Sequence, residues 1–257
     1  MVDTQERYTT PTLRTVEIAF NIIDTLREQD QLGITELAKE LGHSKSTIHS
    51  HLQTLENREI VVNEAGKYRL SLRILDMAND VRNQVGNYDV IKEEADTLAN
   101  ETGEIAQFGL KEHSLITYLY KAKGERGVET ASSVGRRQPM HSTSLGKAIL
   151  AYLPHERREE MINSMTLERQ TPQTITDPEQ LRAELDKITE RGYAIDDEEN
   201  LEGLRCVAAP VRNGKIVLGA ISITGPASRI TDDDLHNDLA KAVQRAANII
   251  EVNTKFA

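Results

Sequence analysis

The chain has 257 residues, 38% of them hydrophobic and 4% aromatic, with no tryptophan and a formal net charge of −10. That length suits one large domain or two ordinary ones. No apolar run reaches membrane-spanning length, MVDTQERYTT lacks a signal core, and a single cysteine excludes an internal disulfide framework or a multi-thiolate metal site. A cytoplasmic protein without a membrane partner is the expectation.

Residues 1–12 are polar and expected to fray. An apolar-periodic helix follows, with Leu13, Val16, Ala19, Ile22, Ile23 and Leu26 on one side. The next stretch, ITELAKELGHSKSTIHSHLQTL, reads as two short amphipathic helices around a tight turn. Leu37, Ala38 and Leu41 form the first apolar stripe, and Gly42 ends it, because glycine takes a left-handed C′ conformation at no steric cost. Ser44 is the N-cap of the second helix. Ile48, Leu52 and Leu55 point back to the core, and Lys45, Ser46, Thr47, His49, Ser50 and Gln53 are left on the outer face. No carboxylate lies between Leu41 and Leu55. Such a face is suited to the major groove of double-stranded operator DNA.

A β-hairpin is predicted next, with Ile60, Val61 and Val62 on one arm, Asn63-Glu64-Ala65-Gly66 as the loop, and Tyr68 and Leu70 on the other. Lys67 and Arg69 face away from its apolar residues. Helix, helix-turn-helix and basic hairpin in that order make a winged helix-turn-helix over residues 13–70. Residues 1–70 hold eight Lys/Arg and eleven Asp/Glu, so DNA affinity there depends on local charge. Screening limits phosphate attraction to roughly 10 Å at ordinary salt.

Residues 71–86 are predicted as a linker helix with Leu72, Leu75, Ala78, Val81 and Val85 on one stripe. From residue 88 to 254 the pattern turns α+β. Helices are expected at 89–102, 143–152, 178–191 and 231–253, and strands at 105–110, 114–120, 206–212 and 215–224. Asn213-Gly214 joins the last two strands as a hairpin signal. Antiparallel strands with helices at their edges suggest one central sheet.

Three segments carry candidate chemistry. PMHSTSLGKA runs into a helix, whose start offers free N–H groups to an anion; a capped helix with a close-packed glycine reads equally well. The run Asp196-Asp197-Glu198-Glu199 is either a pocket segment or a solvated loop. Ser222 and Thr224 share one strand face with Ala220 by the two-residue period, which lines a pocket or packs closely. Cys206 opens a strand and is read first as a small buried hydrophobe. His49 and His51 stand two apart on a helix, on different faces, so no metal is expected, nor any cofactor.

The motifs PMHSTSLGKAILA, GYAIDDEENLEGLRCVAAPV and GAISITGPASRIT, in that order, resemble the effector domain of IclR-type transcriptional regulators. The winged helix-turn-helix fits the N-terminal domain of that family. The resemblance spans residues 13–253. It implies a GAF-like effector domain with a curved antiparallel sheet, a homodimer formed through the DNA-binding domain, and pairing of dimers into tetramers. It also implies a small-molecule effector, a small carboxylate whose charged end meets the backbone at Ser144 and Leu145. Asp196, Cys206, Ser222 and Thr224 would line the rest. Many members carry arginine where this chain has Ser50 and an apolar residue where it has His51, so operator preference does not transfer. Thr224 stands where a serine is also found, and adds a methyl. Two alternatives stay open: an enzyme with Cys206 as nucleophile and His141 as base, and a cysteine-based redox switch acting on DNA.

Overall fold

The structure, a computed structural model, describes residues 11–128 and 132–254. The chain divides into two units, Met1–Gln84 and Val85–Ala257. The polar stretch expected to fray lies, up to residue 10, outside the described residues.

In the first unit α1 (Arg14–Glu28) leads through β1 (Leu32–Gly33) into α2 (Ile34–Glu40) and α3 (Lys45–Asn57). The hairpin β2 (Val61–Glu64) and β3 (Lys67–Leu70) follows, then α4 (Arg73–Gln84). Gly42 takes φ +67° between α2 and α3, and Ser44 Oγ accepts the Thr47 N–H at 3.1 Å, as the turn and cap predict. The core gathers Ile22, Leu26, Leu37, Ile48, Leu52, Val61 and Tyr68, all nearly solvent-free. The two-residue strand β1 pairs with β3 and was not foreseen, being too short for any period to register.

The apolar side predicted for α1 is in fact two stripes. Ile18, Ile22 and Leu26 are buried, while Leu13, Val16 and Phe20 are exposed at 73%, 47% and 60%. Apolar residues on both sides of a helix blur the period that a single face would give. α4 buries none of its residues, and Leu75, Met77 and Val81 stand in the open beside the neighbouring Leu72.

The second unit begins with α5 (Tyr88–Thr102), β4 (Ile105–Glu112), β5 (Leu115–Lys123) and β6 (Arg137–Pro139). Next come α6 (Ser144–Ala151), α7 (His155–Ser164), α8 (Pro178–Arg191) and β7 (Ala194–Asp197). The long strands β8 (Leu204–Asn213) and β9 (Ile216–Pro226) precede α9 (Asp232–His236) and α10 (Asp238–Thr254). The strands form one antiparallel sheet in the order β6-β5-β4-β9-β8-β7. One core, with Phe108, Val207, Ile221 and Ile223, lies against α5 and α10; the other, with Ile116, Ala208 and Ala220, lies against α6, α7 and α8.

The sequence reading did not foresee α7, β6 or β7, and two further details differ from it. The hairpin turn falls on Gly214-Lys215, because Asn213 still pairs with Ile216 after a register shift at Val211/Arg212. The last helix is broken at Asn237, where φ −121° and ψ −82° leave the helical region. Thr231 and Asp234 close a capping box on the short α9, and Asn237 donates to Asp233 Oδ1 at 2.7 Å, which holds the bend.

Candidate functional sites

α3 presents Lys45, Ser46, His49, Ser50 and Gln53 to solvent, with Thr47 half-buried. Thr47 Oγ1 and Ser46 Oγ both lie 2.8 Å from Ser44 Oγ, so their hydroxyls are tied into the cap. Ser50 Oγ donates back to the Ser46 carbonyl at 3.1 Å. Among the described residues Lys45, His49 and Gln53 have no hydrogen-bond partner. On the hairpin Lys67 is exposed, but Arg69 is held by Glu64, its Nε 2.9 Å from Oε1. The Arg69 charge is therefore largely offset on the spot, which the sequence reading did not foresee. Lys45 and Lys67 remain as cations without an ion-pair partner among the described residues.

In the second unit all six expected effector residues line one cavity of about 60 Å³: Ser144, Leu145, Asp196, Cys206, Ser222 and Thr224. Sheet register brings them together. Asp196 stands opposite Cys206, and Cys206 opposite Thr224, while Ser222 stands opposite Gln107. α6 closes the top. Thr143 Oγ1 accepts the Gly146 N–H at 3.1 Å and donates to the Pro139 carbonyl at 2.8 Å. The cap uses one of the first N–H groups, and those of Ser144 and Leu145 are left at the cavity.

Gly146 is fixed by space. A Cβ built there would stand 2.2 Å from the Met140 carbonyl oxygen, which is backbone and cannot swing aside. The capped helix with a close-packed glycine is what the chain forms, and close packing at Gly146 seats that helix start over the cavity. Gly146→Ala is expected to cost about 1–3 kcal/mol or more and to lower the thermal midpoint of the purified chain. An unchanged midpoint would show that the loop before α6 moves freely.

The acidic run is buried at Asp196 and Glu199 and open to solvent at Asp197. Asp196 is 3% exposed, and its Oδ1 accepts the N–H groups of Glu199 at 2.8 Å and Asn200 at 3.2 Å. Asp197 pairs with Arg205 at 2.6 Å, and Glu198 Oε2 accepts the Gly203 N–H at 2.7 Å. Glu199 is ion-paired with Lys147, which is fully buried on α6. The hydroxyls of Thr171 and Thr174 donate to the carbonyls of Glu198 and Glu199 at 2.7 and 2.6 Å. Burial pushes the Asp196 carboxyl up to about 7, with Lys147 opposing and Glu199 adding to the rise. Burial raises Glu199 as well, again against Lys147.

Cys206 does not have the surroundings of a nucleophile. Burial first, then Asp196, push its thiol well above the ordinary range, and Thr224 Oγ1 donates to its sulfur at 3.2 Å. The proposed base His141 is buried, its Nε2 2.9 Å from the Glu168 carbonyl, and burial lowers its basicity. Sequence reasoning missed Gln107, Tyr118 and Asn200 on the cavity wall and Lys147 behind it. Gln107 carried a signal, a polar side chain inside the apolar strand IAQFGL. The others depend on which strands and loops become neighbours.

Comparison with known proteins agrees with this architecture. The IclR helix-turn-helix domain matches residues 15–65, and the domain described as "Bacterial transcriptional regulator IclR C-terminal" matches residues 84–252. The probable HTH-type transcriptional regulator ArcR of Halobacterium salinarum is 34% identical over 93% of this chain and 93% of its own length. The regulator KdgR of Dickeya chrysanthemi is 34% identical over 90% of this chain and 76% of its own. The crystal structure of Thermotoga maritima IclR superposes with a TM-score of 0.83 at 27% identity, covering 95% of this chain and 99% of that one. An IclR homolog from Microbacterium hydrocarbonoxydans, complexed with 4-hydroxybenzoate, shares the fold with a TM-score of 0.79 at 22% identity, over 95% and 100% of the two chains. The class is therefore a DNA-binding transcription regulator with a C-terminal effector domain. Within that class, the chain belongs to the IclR family.

Proposed function

We propose that this chain reads a near-palindromic operator as a homodimer and releases or tightens it on binding a small organic or sugar-derived acid. The observation that carries the effector half is the meeting of all six expected residues on one cavity beneath the start of α6. The acid's carboxylate accepts from the N–H groups of Ser144 and Leu145, where the helix end also favours negative charge. Ser222, Thr224, Cys206 and Asp196 bound the remainder. The Microbacterium relative's complex with 4-hydroxybenzoate, itself a carboxylate, supports an acid.

For the DNA half, Lys45, Ser46, Thr47, His49, Ser50 and Gln53 face the major groove, with Lys67 and Arg69 on the wing toward phosphates. Exposed apolar residues on α1 and α4, Phe20 and Leu75 among them, support a dimer that covers them. That dimer sets two recognition helices about 34 Å apart, one DNA turn. Two such dimers pair into a tetramer, and the protein works in the cytoplasm. α4 transmits effector occupancy, and linkage requires a ligand that weakens DNA binding to be held less tightly by the DNA complex.

Fluorescence anisotropy on DNA from upstream of its own and neighbouring genes tests this, across a salt series and with a panel of small carboxylic and sugar acids. Lys45→Ala is expected to weaken binding to every sequence and lower the salt slope by about one. Ser222→Val is expected to remove the acid's effect while operator affinity stays within about twofold. Loss of DNA binding in Ser222→Val would overturn the cavity assignment, and an unchanged salt slope in Lys45→Ala would remove Lys45 from the DNA face.

A further inference from the structure

One side chain on the cavity wall brings a phenol that the protein itself does not use. Tyr118 is 6% exposed and lines the cavity. Among the described residues its hydroxyl has no hydrogen-bond partner, although a buried tyrosine hydroxyl usually finds one. Parts of three neighbouring side chains on the wall are engaged within the protein. Gln107 donates to Ser132 Oγ at 2.7 Å and accepts from Thr224 at 3.3 Å. Asn200 Oδ1 accepts from Ser142 at 3.2 Å, and Asp196 Oδ1 takes two backbone N–H groups.

A local irregularity puts Tyr118 there. Along β4 and β5, Gln107 faces Lys121 and Phe108 faces Tyr120, but Gly109 faces Tyr118, so Leu119 is an extra residue. This bulge reverses the alternation. Leu119 packs with the core under α5 and α10, and Tyr118 joins the core under α6. An even ladder would have set Leu119 opposite Gly109 and turned Tyr118 to the other face. Bulges that re-aim one side chain are concentrated next to functional sites. The residue across the ladder has no side chain, and a Cβ at Gly109 would lie 2.8 Å from Ile116 Cγ2 and 3.2 Å from Leu145 Cδ1. Tyr118 therefore owns this part of the wall. Burial, with Cys206 and Asp196 nearby, keeps the phenol protonated, so the group it offers is a neutral donor.

We propose that Tyr118 is the specificity-determining residue of the effector cavity: its hydroxyl donates to a second oxygen of the bound acid, beyond the carboxylate held at α6. The proposal rests on the reading of this cavity as the effector site. It sorts acids by chemistry: one with a 2-hydroxyl satisfies Tyr118, and the unsubstituted acid of the same length leaves it desolvated and unpaired.

The test uses the full chain and two matched pairs, propionate with lactate and butyrate with 2-hydroxybutyrate, titrated by calorimetry into wild type and Tyr118→Phe. Wild type is expected to favour the hydroxy acid by about tenfold, and Tyr118→Phe to lose that preference by weakening the hydroxy acid alone. Without ligand, Tyr118→Phe is expected to melt no lower than wild type, since it removes a group without a partner. Three results overturn the proposal. Equal binding of each pair by wild type refutes the role of Tyr118 alone. A preference that survives in Tyr118→Phe assigns it to another donor. Absence of binding by all four acids, with a lower melting temperature for Tyr118→Phe, refutes the acid-binding reading together with the proposal and makes the hydroxyl structural.

Discussion

Lys147→Met destabilises the second unit by about 3–5 kcal/mol, the cost of stranding a buried charge after its partner is removed. Lys147 is fully buried, and Glu199 is 8% exposed. Glu199 Oε2 has no hydrogen-bond partner among the described residues, so the ammonium supplies most of what offsets its desolvation. Burial already presses that carboxyl toward its neutral form, with Lys147 opposing. Without the lysine, Glu199 must take a proton or pull water into the core beside α6. The double variant Lys147→Met/Glu199→Leu removes both charges and is expected to recover most of the loss, because apolar replacement of a buried pair is often neutral. Urea denaturation followed by circular dichroism measures both. A single variant within about 1 kcal/mol of wild type would mean that solvent already reaches the pair.

The second large effect is a pH dependence set by Asp196. Its carboxyl is raised from 3.8 to about 7, mainly by burial. Between those values the folded chain holds a proton that the unfolded chain has released, so stability falls as pH rises from about 4 to 7 and is level above. The separation corresponds to on the order of 4 kcal/mol at most. Lys147, Glu199, Tyr118 and Cys206 are the titratable groups coupled to it. Glu199 slopes the same way, so the Asp196 share is read by difference. Asp196→Asn keeps the Oδ1 acceptor for the two backbone N–H groups and carries no charge. It is expected to match wild type near pH 4 and exceed it at pH 8. An acid's carboxylate shares the cavity with this group, so its affinity should also fall above pH 7 in wild type and stay level in Asp196→Asn. A wild-type stability that rises between pH 4 and 7 by as much as that of Asp196→Asn would show that Asp196 titrates in the ordinary range.

The winged helix-turn-helix was legible because its signals are local. Gly42, the Ser44 cap and the spacing of Ile48, Leu52 and Leu55 act over three or four residues, and the folded chain keeps each of them. The effector strands were legible for the same reason, as was the face shared by Ser222 and Thr224. The sequence read alone could not divide α1 into a buried and an exposed stripe, since both are apolar at helical spacing. Nor could it see that Glu64 engages Arg69 across the hairpin.

By itself, the sequence determined where most helices and strands begin and end to within a few residues (α7, β1, β6 and β7 apart), the order of two units, and the residue types offered at the start of α6. Short-range backbone preferences and side-chain periods decide such things. Tertiary structure alone decided that Asp196 and Glu199 of the acidic run are buried, that Lys147 answers Glu199 across 52 positions, and that a one-residue bulge turns Tyr118 into the cavity. Those outcomes depend on strand register and on which loop closes over which helix. Contacts between distant residues fix them, and no local pattern records such contacts.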